Sequence, residues 1–299
     1  MIEIWIPITI IAAFSQNLRS TFQKKLQRQL SNIGATYVRF AYGLPFVFIY
    51  FLLLNNFSQN PIFIGNINFN FLLYCFIGGL CQIFATFLLL KIFITSNFAL
   101  GTTYSKTEPI QAALFSFILL NETITFMGLI GILIGLAGVI ITSSNKFKQK
   151  YTFLSYSVLL GLCSGAFFGL SAVLFRAASH NLDIANYIVS SAFTLLVVIF
   201  IQTIVMTFYI FYTDIKQFYL ILMNWKHGAI VGLFGALASL CWFYAMSIQN
   251  VAYVRSLGQI ELVFTLLVSI FYFKEKISLN EIIGIITTII GILIIVLYV

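Results

Sequence analysis

The sequence predicts an all-α integral membrane protein of ten transmembrane helices, arranged as two inverted five-helix repeats. Three observations lead there. The chain is 61% hydrophobic and only 8% charged, against roughly 25% charged in a soluble domain. Many of its runs approach the roughly 20 apolar residues that cross a bilayer. The chain also repeats itself. At a constant offset of 153 residues Glu108 meets Glu261, Glu122 meets Glu275, Gly131 meets Gly284 and Gly138 meets Gly291. Ala99/Ala252, Ser116/Ser269 and Ile124/Ile277 keep the same register. The chain length of 299 is close to twice that offset, so a duplicated unit fills the chain.

The spans follow in order. Span 1, Ile4 to Leu26, is polar in its second half, with Ser15, Gln16, Asn17, Arg19, Ser20 and Gln23. Lipid penalises such groups, so they should face other helices or a wet cavity. Span 2, Ile33 to Leu54, carries Arg39 near its start and Pro45 within. Span 3, Phe71 to Ile94, holds Gly78, Gly79, Gln82 and Lys91, and a short link at Ser96 and Asn97 follows. Span 4, Phe98 to Leu120, contains Tyr104, Lys106, Glu108 and Pro109. A tight turn at Glu122 leads to span 5, Ile124 to Thr142, with Thr123 or Thr125 as its cap. Gly128, Gly131, Gly135 and Gly138 there let another helix approach closely.

After a lysine-rich linker at Lys146, Lys148 and Lys150 the plan repeats. Span 6 is Phe153 to Arg176, with Gly161, Gly165 and Gly169 on one face. Span 7 is Ile184 to Tyr212, and span 8 is Gly228 to Ile248. Span 9, Val251 to Phe273, holds Tyr253, Arg255, Gln259 and Glu261. Span 10 runs from Ile277 to the C-terminus. The units are residues 1–145 and 151–299. Five spans per unit send the second unit into the membrane from the opposite side.

The net charge of +8 sits mostly in short loops, where it reports topology rather than nucleic-acid binding. Lys24, Lys25, Arg28, Lys146, Lys148, Lys150, Lys216, Lys226, Lys274 and Lys276 fall on one side, which predicts that side in the cytoplasm and both termini outside. Cys75, Cys81, Cys163 and Cys241 lie in apolar spans without a C-x-x-C pair and read as packing residues. MIEIWIP lacks the basic start of a cleaved signal peptide.

Glu108 and Glu261 are the sharpest functional candidates, because a carboxylate inside a membrane is costly. They suit proton coupling or recognition of a cationic group. The alternative is a buried carboxylate paired with Lys106, Arg255 or Lys91 to fix packing. Lys106 and Arg255 could bind a carboxylate or phosphate; for Arg255 and Arg39 the alternative is snorkelling to the headgroups. Gln16, Asn17 and Gln259 could line a pocket or join helices, and Tyr104 and Trp242 could wall it. Polar groups concentrate in spans 1, 4 and 9, so the pocket is expected between spans 1, 4, 6 and 9. Glu122 and Glu275 read as structural residues of helix turns. No cofactor or metal is expected: His180 and His227 are far apart, and no Walker loop or G-x-S-x-G occurs.

The repeated ending carries a resemblance. Leu120-Asn121-Glu122-Thr123-Ile124 precedes glycines 128, 131, 135 and 138, and Phe273-Lys274-Glu275-Lys276-Ile277 precedes Gly284 and Gly291. This resembles the EamA family of the drug/metabolite transporter superfamily over both halves. Pro109 fits the proline usual in that family's fourth span; the second half has Leu262 instead. The family's usual Gly-Glu turn reads Asn-Glu and Lys-Glu here. The resemblance implies secondary transport, often export, of a small organic metabolite such as an amino acid or drug-like compound, and both termini in the cytoplasm, against the charge count. The expected setting is the cell (inner) membrane, as a monomer or homodimer, with the bilayer and a small-molecule substrate as partners and protons as candidate coupling ion. The rival readings are an integral-membrane enzyme and a lipid flippase acting on a lipid substrate.

Overall fold

The computed structural model describes residues 3–57, 67–94, 103–144, 156–182, 184, 186–264, 267 and 278–299. The expected features at Ser96, Asn97, Ala99, Ser269, Lys274, Glu275, Lys276, Ile277 and the lysine-rich linker lie outside the described residues. The elements are α1 (Trp5–Leu26), α2 (Asn32–Ala41), α3 (Leu44–Phe57), α4 (Phe69–Ile94), α5 (Glu108–Leu120), α6 (Phe126–Ser144), α7 (Tyr156–His180), α8 (Tyr187–Thr213), α9 (Lys216–Met223), α10 (Trp225–Ile248), α11 (Val251–Leu257) and α12 (Leu279–Tyr298). Among the described residues, seven helices are long and apolar enough to cross a membrane, α2 and α3 counting as one rod over Asn32–Phe57.

Local chemistry sets the ends. Ser31 Oγ accepts from Gly34 N at 3.1 Å to start α2, and Asn186 and Asn250 cap α8 and α11 in the same way. Thr125 Oγ1 accepts from Gly128 N at 3.0 Å and caps α6, as the sequence suggested. Ser278 and Glu281 form a reciprocal capping box at α12. The rod of α2 and α3 breaks at Tyr42 and Gly43, because Pro45 has no N–H to give the Ala41 carbonyl and its ring crowds that carbonyl. Asn121 ends α5 in the left-handed region at φ 55°, where its N–H meets Phe117 O at 3.2 Å and Glu122 N–H meets Ser116 O at 3.2 Å. Asparagine tolerates that conformation better than any other residue bearing a side chain, which is why it can stand where glycine usually does.

Small residues set the packing. α1 lies along α10, and α4 along α7. α6 lies along α12 with backbone against backbone: a Cβ on Gly131 would come within 2.9 Å of Gly291 O, and one on Gly138 within 2.6 Å of Gly284 O. The order of these contacts reverses between the helices, so α6 and α12 run antiparallel. The core gathers around Phe40, Phe71, Phe175, Leu195, Trp242, Phe243 and Tyr253, whereas the outer faces carry exposed Phe, Leu and Ile side chains. Such an apolar exterior matches a lipid solvent. All four cysteines are free thiols.

Candidate functional site

The helix preceding α5 stops short. Residues 103–105 are helical, 106 and 107 form a turn, and α5 restarts at Glu108 with Pro109 in its first turn. Pro109 cannot donate to the Ser105 carbonyl, so the turn tightens: Lys106 N bonds Thr103 O at 3.0 Å and Thr107 N bonds Tyr104 O at 3.2 Å. The second half does the same without a proline. After α11 the backbone tightens into a 3₁₀ turn over Gly258–Ile260, the repeat equivalents of residues 105–107. Each break leaves charged and amide side chains beside it.

These side chains meet. Lys106 forms an ion pair with Glu261. Arg255 Nε lies 2.9 Å from Glu108 Oε1, an ion pair by distance in which the N–H is not directed at the oxygen as in a hydrogen bond. Gln259 Nε2 donates to Lys106 O at 3.3 Å. From α1, Gln16 Nε2 donates to Glu261 Oε2 at 3.1 Å, and its Oε1 accepts from Trp242 Nε1 of α10 at 3.0 Å. Arg255 stacks over the Trp242 ring at 4.5 Å, a cation–π contact. The group encloses about 280 Å³ of atom-free space, counting the part open to solvent; Pro109 and Gly258 complete its wall.

Seven of the ten candidate residues line this cavity: Gln16, Lys106, Glu108, Trp242, Arg255, Gln259 and Glu261. Asn17 and Tyr104 are half-buried and are not part of its wall. Arg39 is not there either, and it does not snorkel: it is 6% exposed, with Nη1 on Thr86 Oγ1 at 2.7 Å. Arg255 likewise turns inward, held by Glu108 and Trp242, and not out to the headgroups. Spans 1, 4 and 9 contribute as expected. Span 6 is replaced by span 8, which supplies Trp242. The reason is steric. Gly165 and Gly169 press α7 against the backbone of residues 105–112 and project no side chain there, since a Cβ on Gly169 would meet Ala112 N at 3.1 Å.

Sequence reasoning passed over Arg19 as a site candidate. It is 3% exposed, its Nη2 donates to Ser20 Oγ at 3.3 Å and its Nε has no hydrogen-bond partner among the described residues. The available signal was a cation in a span with no carboxylate after Glu3. A second cluster lies away from the cavity. Arg176 Nε donates to Glu122 Oε1 at 2.8 Å, and its Nη1 reaches Met246 O at 2.5 Å and Gln249 O at 2.9 Å. Asn250 Nδ2 holds the other Glu122 oxygen at 3.1 Å. Glu122 is therefore a tertiary tie rather than a partner for the α6 N-terminus, which Thr125 serves. Among the described residues, no three His, Cys, Asp or Glu side chains come together.

Membrane-length helices, interrupted around a charged internal chamber, define a polytopic membrane protein. The family model for the EamA-like transporter family matches residues 3–144 and again 155–297. The chain belongs to that family, within the drug/metabolite transporter superfamily, and is a membrane transporter. A solved structure titled only as the crystal structure of a protein superposes with a TM-score of 0.73, covering 98% of this chain and 96% of that one at 14% identity. That likeness concerns the fold alone. The comparison with curated proteins gives no match.

Proposed function

We propose that the protein is a secondary carrier that exports a small organic solute across the cell (inner) membrane by alternating access. The observation that carries this reading is the crossed pairing at the chamber. Lys106 of the first half binds Glu261 of the second, and Arg255 of the second binds Glu108 of the first. The two carboxylates are repeat equivalents, so the chamber lies where the halves meet. Discontinuous helices at a repeat interface are a recurring way to build a carrier site.

The pairing of α6 with α12 supports two inverted five-helix units, residues 1–145 and 151–299. Gly131 meets the equivalent of Gly138, and Gly138 meets the equivalent of Gly131. Two equivalent helices that exchange contacts in this way and run antiparallel are related by a two-fold axis across their length. For membrane-spanning helices that axis lies in the membrane plane. Ten spans then follow from five per unit. The solute binds among Gln16, Lys106, Trp242, Arg255 and Gln259, and Glu108 and Glu261 are the groups a coupling proton would use.

The test has two stages. Metabolite pools of cells with and without the protein nominate the solute. Purified protein in vesicles then gives saturable uptake accelerated by the same solute inside. Non-saturable flux with no trans-acceleration would be the behaviour of a channel and would end the carrier reading. Product formed in detergent, with no compartment, would favour an enzyme.

A further inference from the structure

The ion pairs of the chamber leave charge over. Among the described residues, four cations, Arg19, Arg39, Lys106 and Arg255, cluster in the buried interior with two carboxylates, Glu108 and Glu261. Both carboxylates are taken, by Arg255 and Lys106. Among the described residues, Arg19 and Arg39 have no acidic partner. An arginine carries five N–H donors. Arg19 uses one of them, on Ser20 Oγ, and Arg39 one, on Thr86 Oγ1. Arg39 also lies 5.3 Å from the centre of its neighbour Phe40.

The two arginines belong together, behind the chamber wall rather than in it. A Cβ on Gly235 of α10 would lie 3.5 Å from Arg19 Cδ and 3.7 Å from Arg39 Cγ, so both stems cross that glycine. Gly235 and Trp242 are seven residues apart and share one face of α10; Gln16 and Arg19 are three apart and share one face of α1. Arg19 interacts electrostatically with Arg255 in the chamber wall, and Arg39 with both. Three buried guanidiniums repel one another, and removing cations from water is costly unless they are compensated.

We infer that the transported solute is an oxyanion, carrying a carboxylate or phosphate group that Arg19 and Arg39 bind from the chamber side. This rests on the carrier reading above. Planar guanidiniums suit both groups by paired N–H···O bonds. Neither arginine has a repeat counterpart: the equivalent positions are Ala172 and Ala192. The anion subsite is thus a single feature of the first half, set beside a two-fold-related ionic frame.

The test is thermal unfolding of the purified full-length protein in detergent at constant ionic strength, titrated separately with inorganic phosphate, succinate and choline. Phosphate or succinate raises Tm saturably, and which of them acts distinguishes a phosphate from a carboxylate ligand; choline does not raise it. Arg19→Gln and Arg39→Gln each raise the half-saturating concentration about tenfold or more, the loss of ~1.4 kcal/mol. Lys226→Gln, a change at the exposed start of α10, leaves it unchanged. No effect of either anion, an equal effect of choline, or a shift that survives in both arginine variants overturns the proposal. If the variants do not fold, the comparison of anions with choline on the unaltered protein still decides it. Failure of trans-accelerated uptake with the anion shift intact would remove the carrier and keep the anion site. Trans-accelerated uptake of a cation, with no anion shift, would do the reverse.

Discussion

Gln259 donates its side-chain amide to the main-chain carbonyl of Lys106, its own counterpart 153 residues earlier, at 3.3 Å. Equivalent positions of the two halves therefore touch, and they touch where both helices are interrupted. The freed Lys106 carbonyl is an acceptor that an unbroken helix would have consumed. The same interruption orients the Lys106 side chain toward Glu261.

That ion pair gives the first prediction. Glu261→Gln leaves Lys106 a charge without its carboxylate. We expect a loss of about 3 kcal/mol, the low end for a broken buried pair, because about a quarter of the Lys106 side chain is exposed. Lys106→Gln alone behaves similarly. The double change Lys106→Gln/Glu261→Gln recovers most of the stability and none of the transport. Thermal unfolding and vesicle uptake read the two effects separately, and strictly additive losses would contradict the pairing.

A second prediction concerns Arg176, whose fork serves Glu122 and the carbonyls of Met246 and Gln249 at once. Arg176→Ala leaves these acceptors and the Glu122 charge short of a donor. Charged hydrogen bonds of this kind contribute about 1.5–3 kcal/mol, and the drop in Tm should reflect a loss of that order. Arg176→Lys recovers only part of it, since a lysine is a point charge without the planar fork. Full recovery by lysine would mean that charge alone matters here.

A third contrasts two glycines. A Cβ at Gly138 would collide with Thr288 and with the Gly284 carbonyl, so Gly138→Ala should lose about 1–3 kcal/mol. At Gly79 the nearest neighbour is Gln202 Cγ at 3.5 Å, an ordinary contact. Gly79→Ala should be neutral or stabilise by up to ~1 kcal/mol through the stiffer helix backbone. Folded yield by size-exclusion chromatography, together with Tm, separates the two. Equal behaviour would remove the close seam as a determinant of stability.

Several of these features were legible in the chain. The glycines of α6 and the Thr125 cap depend on local pattern, and each performs the structural part its pattern suggested. What lay beyond reach was pairing across the halves. Nothing in the spacing says that Lys106 will choose Glu261 over Glu108, because that choice is made by tertiary approach. The second helix break was hidden for another reason. Leu262 replaces the proline, and only Gly258 hints that the backbone tightens there. The choice between an inward and a snorkelling Arg39 stayed open because distance from a helix end does not report which side of the helix faces the core.

The seam between α6 and α12 has one more consequence. Where main chain rests directly on main chain there is no layer of flexible side chains to absorb a shift, so sliding would break every contact at once. Any reshaping of the molecule must keep that seam as its axle and bend elsewhere. The tightened turns at residues 105–107 and 258–260 are the matched joints at which bending would move the walls of the chamber most.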